Sequence, residues 1–401
     1  MASYTKVKSS NKQGYKWVCT LDGPPDPVSG KRNQISRRGD SQKEALARAQ
    51  KVVDDLTKHG VDAKKVKNQT FEQVKDEWLV DYAKTKNVKK STVGVREGEI
   101  KIILRYYAKV RINQLTHNHH QNMLNDLFEQ GYSQSSIQGV DVTAKMIMKY
   151  AVKHKKRADN PFVDTVIPVK LLTVEEIESD PIAEKILEKH ELAEFLLAVK
   201  EHGLPMDMEI FHLLAFSGLR SGELCALKDT DFFLETNELR VTKTLYCPKN
   251  NVKNYMLTPP KTKGSIRRFD VIEDVMRGIA RHLERMRSQR IAAKKLMDNY
   301  HDENFVFARS DGYPFITKKI LKRMDRLLLK TSITKRATPH IFRHTHISML
   351  AEAEVDLKTI MERVGHDDAK TTLKIYTHVT KNMKKNATER IMKEFSDILQ
   401  I

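Results

Sequence analysis

Thr338-Pro339-His340-Ile341-Phe342-Arg343-His344-Thr345, followed by Val364-Gly365-His366 and Ile375-Tyr376-Thr377-His378, is the stretch on which the reading of this chain turns. Apolar residues at helical spacing separate an arginine, two histidines and a tyrosine within a short span. An arginine can hold a phosphate oxygen, an imidazole can move a proton, and a phenol can attack once it is deprotonated. Those residue types make a kit for opening a phosphodiester, with tyrosine as the nucleophile. Metal chemistry is not expected here: His340 and His344 share a helical face with Arg343 close by, and a guanidinium beside two would-be ligands disfavours a divalent cation.

Composition points the same way. With 401 residues, 40% apolar and 31% charged, the chain is long enough for two or three domains with cores of their own. A formal charge of +19 calls for a polyanionic partner. The sequence holds no apolar stretch of about 18 residues and no signal-peptide pattern at Met1-Ala2-Ser3-Tyr4, so nucleic acid is expected and a membrane is not. Cys19, Cys225 and Cys247 are far apart and form no C-x-x-C pair, which suits small buried hydrophobes in a reducing compartment. No G-x-x-x-x-G-K-[ST] loop occurs, so ATP-driven chemistry is not expected; no cofactor is expected.

Working outward to the N-terminus, Tyr15 to Leu21 alternates like a strand, Gly23-Pro24-Pro25-Asp26-Pro27 turns, and Lys31 to Arg38 returns as a second strand. Ser41-Gln42-Lys43-Glu44 is a capping box that opens a helix. Residues 1 to 70 carry 15 Lys and Arg against 7 Asp and Glu, and Lys31, Arg32, Arg37 and Arg38 are candidates to enter a DNA groove on a strand. A second capping box, Thr70-Phe71-Glu72-Gln73, begins an all-helical unit with further helices over Ser91 to Tyr107, Thr116 to Glu129 and Gln134 to His154. The basic run containing Lys155, Lys156 and Arg157 is read as a DNA-facing linker that closes it at Asn160-Pro161. His117 and His120 share a helical face, but no carboxylate or cysteine completes a metal set. In the remainder, Leu239 to Leu245 and Ile266 to Val271 are expected to pair as an antiparallel ribbon, joined through the basic loop Pro259-Pro260-Lys261-Thr262-Lys263-Gly264.

Five segments in order, Ser217-Gly218-Leu219-Arg220-Ser221-Gly222-Glu223, Pro259-Pro260-Lys261-Thr262-Lys263, Thr338 to Thr345, Val364-Gly365-His366 and Ile375-Tyr376-Thr377-His378, resemble the tyrosine recombinase (phage integrase) family. The three-part layout is similar to integrases of mobile elements, conjugative transposons among them. The resemblance implies a multidomain α+β chain. Residues 1–66 would be an arm-type DNA-binding domain of a three-stranded sheet plus helix, 70–160 a helical core-site-binding domain, and 161–401 a mainly helical catalytic domain with a small antiparallel sheet.

It also implies site roles. Arg220 and Arg343 would hold the phosphate, His340 and His366 assist, Glu223 support, and Tyr376 attack to form a covalent 3'-phosphotyrosyl link. Lys261, with Lys263 as its rival, would protonate the leaving oxygen. The implied setting is double-stranded DNA in a bacterial cytoplasm, acted on by a homotetramer at core and arm sites, with an excisionase and DNA-bending factors as further partners. A Xer-like resolvase, a type IB topoisomerase or an inactive architectural protein are the rival readings. The amphipathic run Ile391, Met392, Phe395, Ile398 and Leu399 would pack on its own domain or on a neighbour's.

Overall fold

The computed structural model describes residues 2–11, 13–25, 32–59, 69–85, 88–171, 173–174, 182–260, 263–370 and 372–380. Lys31, Lys261 and the C-terminal run from Ile391 lie outside the described residues. The chain divides into two compact units, Met1–Leu171 and Leu172–Ile401.

The first unit holds two separate cores. In one, β1 (Ser3–Lys8), β2 (Tyr15–Gly23) and β3 (Asn33–Gly39) form an antiparallel sheet in that order. Trp17, Cys19 and Leu21 recur at every second residue, so one face of β2 is apolar, and α1 (Gln42–His59) covers it by seating Ala45 and Ala49 against the buried Cys19. The expected cap is present: Ser41 Oγ accepts from the Glu44 amide (3.1 Å), while the Glu44 carboxylate accepts from the Asp40 amide (2.7 Å). Strand β1 eluded the pattern reading because none of its residues is fully buried. Lys6 stands opposite Trp17 and lies over the rings of Tyr15 (4.4 Å) and Trp17 (4.9 Å).

The other core is helical, built from α2 (Phe71–Thr85), α3 (Lys90–Tyr107), α4 (His117–Glu129) and α5 (Gln134–Lys153). Thr70 and Gln73 cap α2 reciprocally, each backbone N–H donating to the other's side-chain oxygen (3.0 and 3.4 Å). Phe71, Val74, Trp78 and Tyr82 line the buried face of α2. His120 is fully buried, stacks on Phe162 at 4.1 Å, and bonds Asp141 through Nε2 (2.9 Å) and the Tyr107 hydroxyl through Nδ1 (3.1 Å). Burial holds its pKa below the ordinary imidazole value, so the neutral ring donates to Asp141 and accepts from Tyr107. His119 instead caps α4, accepting from the Thr116 amide at 3.2 Å.

The second unit is mainly helical: α6 (Lys189–His202), α7 (Asp207–Ser217), the one-turn α8 (Ser221–Leu224), α9 (Glu273–Leu296), α10 (Thr317–Leu328), α11 (Ile341–Glu352) and α12 (Leu357–Val364), with a further helical run at 372–380. Its core brings Phe195 of α6, Phe211 of α7 and Phe342 of α11 together, ring centroids 5.2 to 5.8 Å apart. Three short strands, β4 (Phe232–Phe233), β5 (Glu238–Val241) and β8 (Arg267–Asp270), form an antiparallel sheet in the order β4-β5-β8. The expected ribbon is corrected in one respect. Leu239 and Phe269 do pair, but Leu239 to Leu245 is two strands, and β6 (Thr244–Tyr246) turns away to make its own hairpin with β7 (Met256–Thr258). The connection from β5 to β8 is therefore a whole hairpin followed by Pro259-Pro260, not a single loop.

Candidate active site

The site grows from the ends of helices. Helix α7 stops at Gly218, whose φ of +63° is the left-handed cap conformation that glycine adopts without penalty. A Cβ there would come within 2.8 Å of the His346 ring, so the position needs glycine for space as well as for angle. The chain then turns into α8, with Arg220 at its N-cap and the Arg220 amide donating to Glu223 Oε2 at 3.0 Å. Helix α12 ends the same way at Gly365, φ +69°.

Two guanidiniums converge on that second helix end. Arg220, half-buried, donates from Nη2 to the Gly365 carbonyl (3.1 Å) and from Nη1 to Glu223 Oε1 (2.7 Å). Arg343, on α11, is fully buried and donates from Nη1 to the Gly218 carbonyl (2.8 Å), from Nη2 to the Val364 carbonyl (2.5 Å) and from Nε to His366 Nε2 (3.3 Å). A buried guanidinium is costly unless its donors find partners, and these acceptors engage three of its five N–H groups. Burial, then the neighbouring charge of Arg220, lowers the Arg343 pKa to about 9. Two cations donating to neighbouring carbonyls at one helix end make a pocket suited to an anion, because an arriving negative charge would relieve both.

The histidines around the pocket are neutral at neutral pH. Burial and the charges of Arg343 and Arg220 push His366 down to about 3, and its Nδ1 pairs with Thr372 Oγ1 at 2.7 Å. His340, exposed at the N-cap of α11, is lowered by partial desolvation and then by Arg343 and Arg220. Its ring meets that of His344 edge-on at 4.7 Å, and His344 is lowered to about 4 by burial, then by His340 and Arg343. His346 turns the other way, bonded to the Ala215 carbonyl (3.1 Å) and accepting from Arg363 Nε (3.3 Å).

Thr372 and Tyr376 stand four residues apart on the 372–380 run and so share a face. Tyr376 is half-buried against the small cluster of Ile347, Ala351, Ile360, Val364, Ile375 and Val379. Two bonded pairs, Arg220 with Glu223 and Arg343 with His366, thus meet at the Val364-Gly365-His366 corner, His340 shares their electrostatics, and Tyr376 lies one helical turn beyond Thr372, which bonds His366. Lys263 begins the stretch after the two prolines, at Lys263–Ser265.

Elsewhere the structure alters the expected basic surfaces. Lys156 is buried and paired with Glu77 (2.7 Å) and Gln69 (2.5 Å). Arg157 donates to the carbonyls of Ile112 (2.8 Å) and Leu115 (2.9 Å). These two charges brace the helical core from within rather than facing outward, a correction to the linker reading; Lys155 is exposed. Arg32 is exposed but held bidentate by Asp22 (2.8 and 2.9 Å), Arg37 is half-buried, and Arg38 is exposed. The pattern reading missed Arg267, whose buried guanidinium lies on Glu223. A signal existed: Arg267 is in phase with Phe269 and Val271, so strand periodicity points it inward.

A mainly helical unit that gathers two arginines and neutral imidazoles at one helix end has the form of a protein that acts on phosphate esters. Residues 185–383 match the phage integrase family, and residues 70–128 match the family described as phage integrase, N-terminal SAM-like domain. An integrase of Staphylococcus phage L54a is 29% identical over 82% of this chain and 94% of its own. The "prophage ps2 probable integrase" of Lactococcus lactis subsp. lactis (strain IL1403) is 29% identical over 92% of this chain and 95% of its own. Among solved structures, the Tn1549 transposon integrase in complex with transposon right end DNA shares the fold, with a TM-score of 0.61 at 22% identity over 80% of this chain and 99% of that one. The chain belongs to the tyrosine recombinase (phage integrase) family.

Proposed function

We propose that the protein is a site-specific tyrosine recombinase, an integrase that cuts and rejoins double-stranded DNA to integrate and excise a mobile genetic element. The observation that carries this reading is the convergence of Arg220 and Arg343, 123 residues apart in sequence, on the consecutive residues Val364, Gly365 and His366. Cleavage of a phosphodiester gathers negative charge on the non-bridging oxygens, and the two guanidiniums are held in place beforehand to receive it.

Tyr376 is the nucleophile. A free phenol has a pKa of about 10 and needs a base, and His340, neutral beside two arginines, is able to take its proton. The phenolate oxygen then bonds to phosphorus, the bond to the 5'-oxygen breaks, and Lys261, with Lys263 as its rival, supplies the proton that the leaving oxygen requires. His366 accepts from Arg343 Nε and so fixes that guanidinium's orientation. The 3'-phosphotyrosyl link keeps the energy of the bond it replaces, so rejoining needs no nucleotide cofactor. Residues 1–66 form the arm-site-binding domain, with Arg32 just before β3 and Arg37 and Arg38 on it offered to DNA; 70–160 bind the core site and 161–401 carry catalysis. Four strands must be cut in pairs, so the working assembly is a homotetramer, with an excisionase and a bending factor setting direction, in the cytoplasm of a bacterial cell.

A pool of nicked suicide duplexes with randomised cores, incubated with the protein in chelator, tests this. Wild type is expected to yield a denaturant-resistant protein–DNA adduct of restricted sequence, and Tyr376→Phe none. No adduct from wild type refutes the reading, and relaxation of supercoiled DNA without site preference would make the protein a topoisomerase instead.

A further inference from the structure

Glu223 is shared between two arginines of opposite character. Arg220 reaches Oε1 from the N-terminus of α8 at 2.7 Å, with its side chain 35% exposed. Arg267 reaches the same carboxylate from β8, Nη2 to Oε2 at 2.9 Å and Nη1 to Oε1 at 3.4 Å, with its side chain only 5% exposed. Its other bonds go to backbone carbonyls, Nε to Arg363 (2.8 Å) and Nη1 to Ser265 (3.1 Å). A single residue therefore joins β8, the last turn of α12 and the carboxylate that holds Arg220.

The arrangement has an electrostatic consequence. Burial alone would raise the Glu223 pKa, yet the carboxyl stays below its usual range, and the charge of Arg267 contributes more to this than that of Arg220. A buried carboxylate with Arg220 as its sole counter-ion would draw that guanidinium inward. With Arg267 beneath it, Glu223 has a second, buried counter-ion, and Arg220 stays half-exposed and also reaches the Gly365 carbonyl.

We infer that Arg267 is a positioning residue for phosphodiester cleavage: it anchors Glu223 and the Arg363-to-Gly365 corner from inside the unit, and so sets the Arg220 guanidinium toward the scissile phosphate. This rests on the recombinase reading of the site. Arg267 itself does not touch DNA, so its effect belongs to the cleavage rate and not to binding.

The test is a double-mutant cycle between Arg267 and Arg220, read by single-turnover cleavage of a suicide duplex and by affinity for the same duplex. Arg267→Met removes the buried counter-ion and risks unfolding, so Arg267→Lys, which keeps the charge but cannot hold Glu223 and two carbonyls together, is the informative variant. Arg267→Lys is expected to melt at a lower temperature than wild type but to stay folded at the assay temperature, to bind within about twofold, and to cleave at least about tenfold more slowly. In an Arg220→Lys background the same change should cost no more than about twofold further, because it acts through Arg220. Cleavage by Arg267→Lys within twofold of wild type, or a loss that adds in full to that of Arg220→Lys, overturns the inference. Absence of any adduct from the wild-type protein would instead overturn the functional reading.

Discussion

At the scale of single residues, Arg343 shows how tightly the site and the fold are bound together. Its guanidinium is as buried as any phenylalanine of the core, and it bridges the ends of α7 and α12. Arg343→Lys offers a compact point charge where a planar fork is required. It should lower cleavage by about 100-fold or more and destabilise the fold by about 3 kcal/mol, as read by single-turnover rates and thermal melts. Arg220→Lys, at a half-exposed position, should cost cleavage similarly with little change in melting.

The histidines around the site, one buried and two half-buried, make a separate prediction about pH. His346 and His366 are held near 3, and His344 near 4, against an unfolded value of about 6.5. Below pH 6.5 the unfolded chain binds protons that the native state refuses, so stability is complete above that value and falls as the medium is acidified toward 4. Melting temperature should drop steadily between pH 7 and 5. Replacing His346 with Gln should flatten that slope by one proton's share, and an unchanged slope would show that His346 is charged in the native protein.

At the scale of elements, the site depends on where helices stop. Gly365 is left-handed, and a Cβ there would lie 3.0 Å from Ser265 Cα and 3.1 Å from Arg267 Nη1. Gly365→Ala should therefore destabilise by about 1 kcal/mol or more and misplace the carbonyl that Arg220 uses, with both effects visible in melts and cleavage rates. Helix α11 is held through Phe342 between Phe195 and Phe211, and Phe342→Ala should cost about 3–5 kcal/mol in denaturant unfolding.

Much of this was legible in sequence, for reasons that also mark where legibility stopped. The two capping boxes and the apolar stripe of α2 announced their helices through local spacing alone. Arg220, Arg343, His366 and Tyr376 stood out because each sits in a short run of distinctive neighbours. Direction was harder to read: Lys156 and Arg157 look like a basic surface, and only the positions of Glu77, Ile112 and Leu115, distant in sequence, turn them inward. His120 likewise owes its place to Asp141 and Phe162. Arg267 was passed over because its strand was read only as half of an antiparallel ribbon, although its phase with Phe269 pointed inside.

At the scale of the whole molecule, a charge of +19 spread over a chain that acts on DNA makes phosphate contact the main source of affinity. With six to ten such contacts, affinity should fall by about 10³-fold or more between about 50 and 200 mM salt, measured by fluorescence anisotropy on a fixed duplex. Deleting residues 1–66 should leave cleavage of a core duplex intact while abolishing binding to arm DNA, since the two cores of the first unit are separate.

The central claim is that Tyr376 carries the DNA strand. Digesting the covalent adduct with protease and nuclease and sequencing the modified peptide by mass spectrometry tests it directly. The account predicts a nucleotide joined through its 3'-phosphate to the Tyr376 oxygen. A nucleotide found on another residue, or joined through a 5'-phosphate, would contradict it.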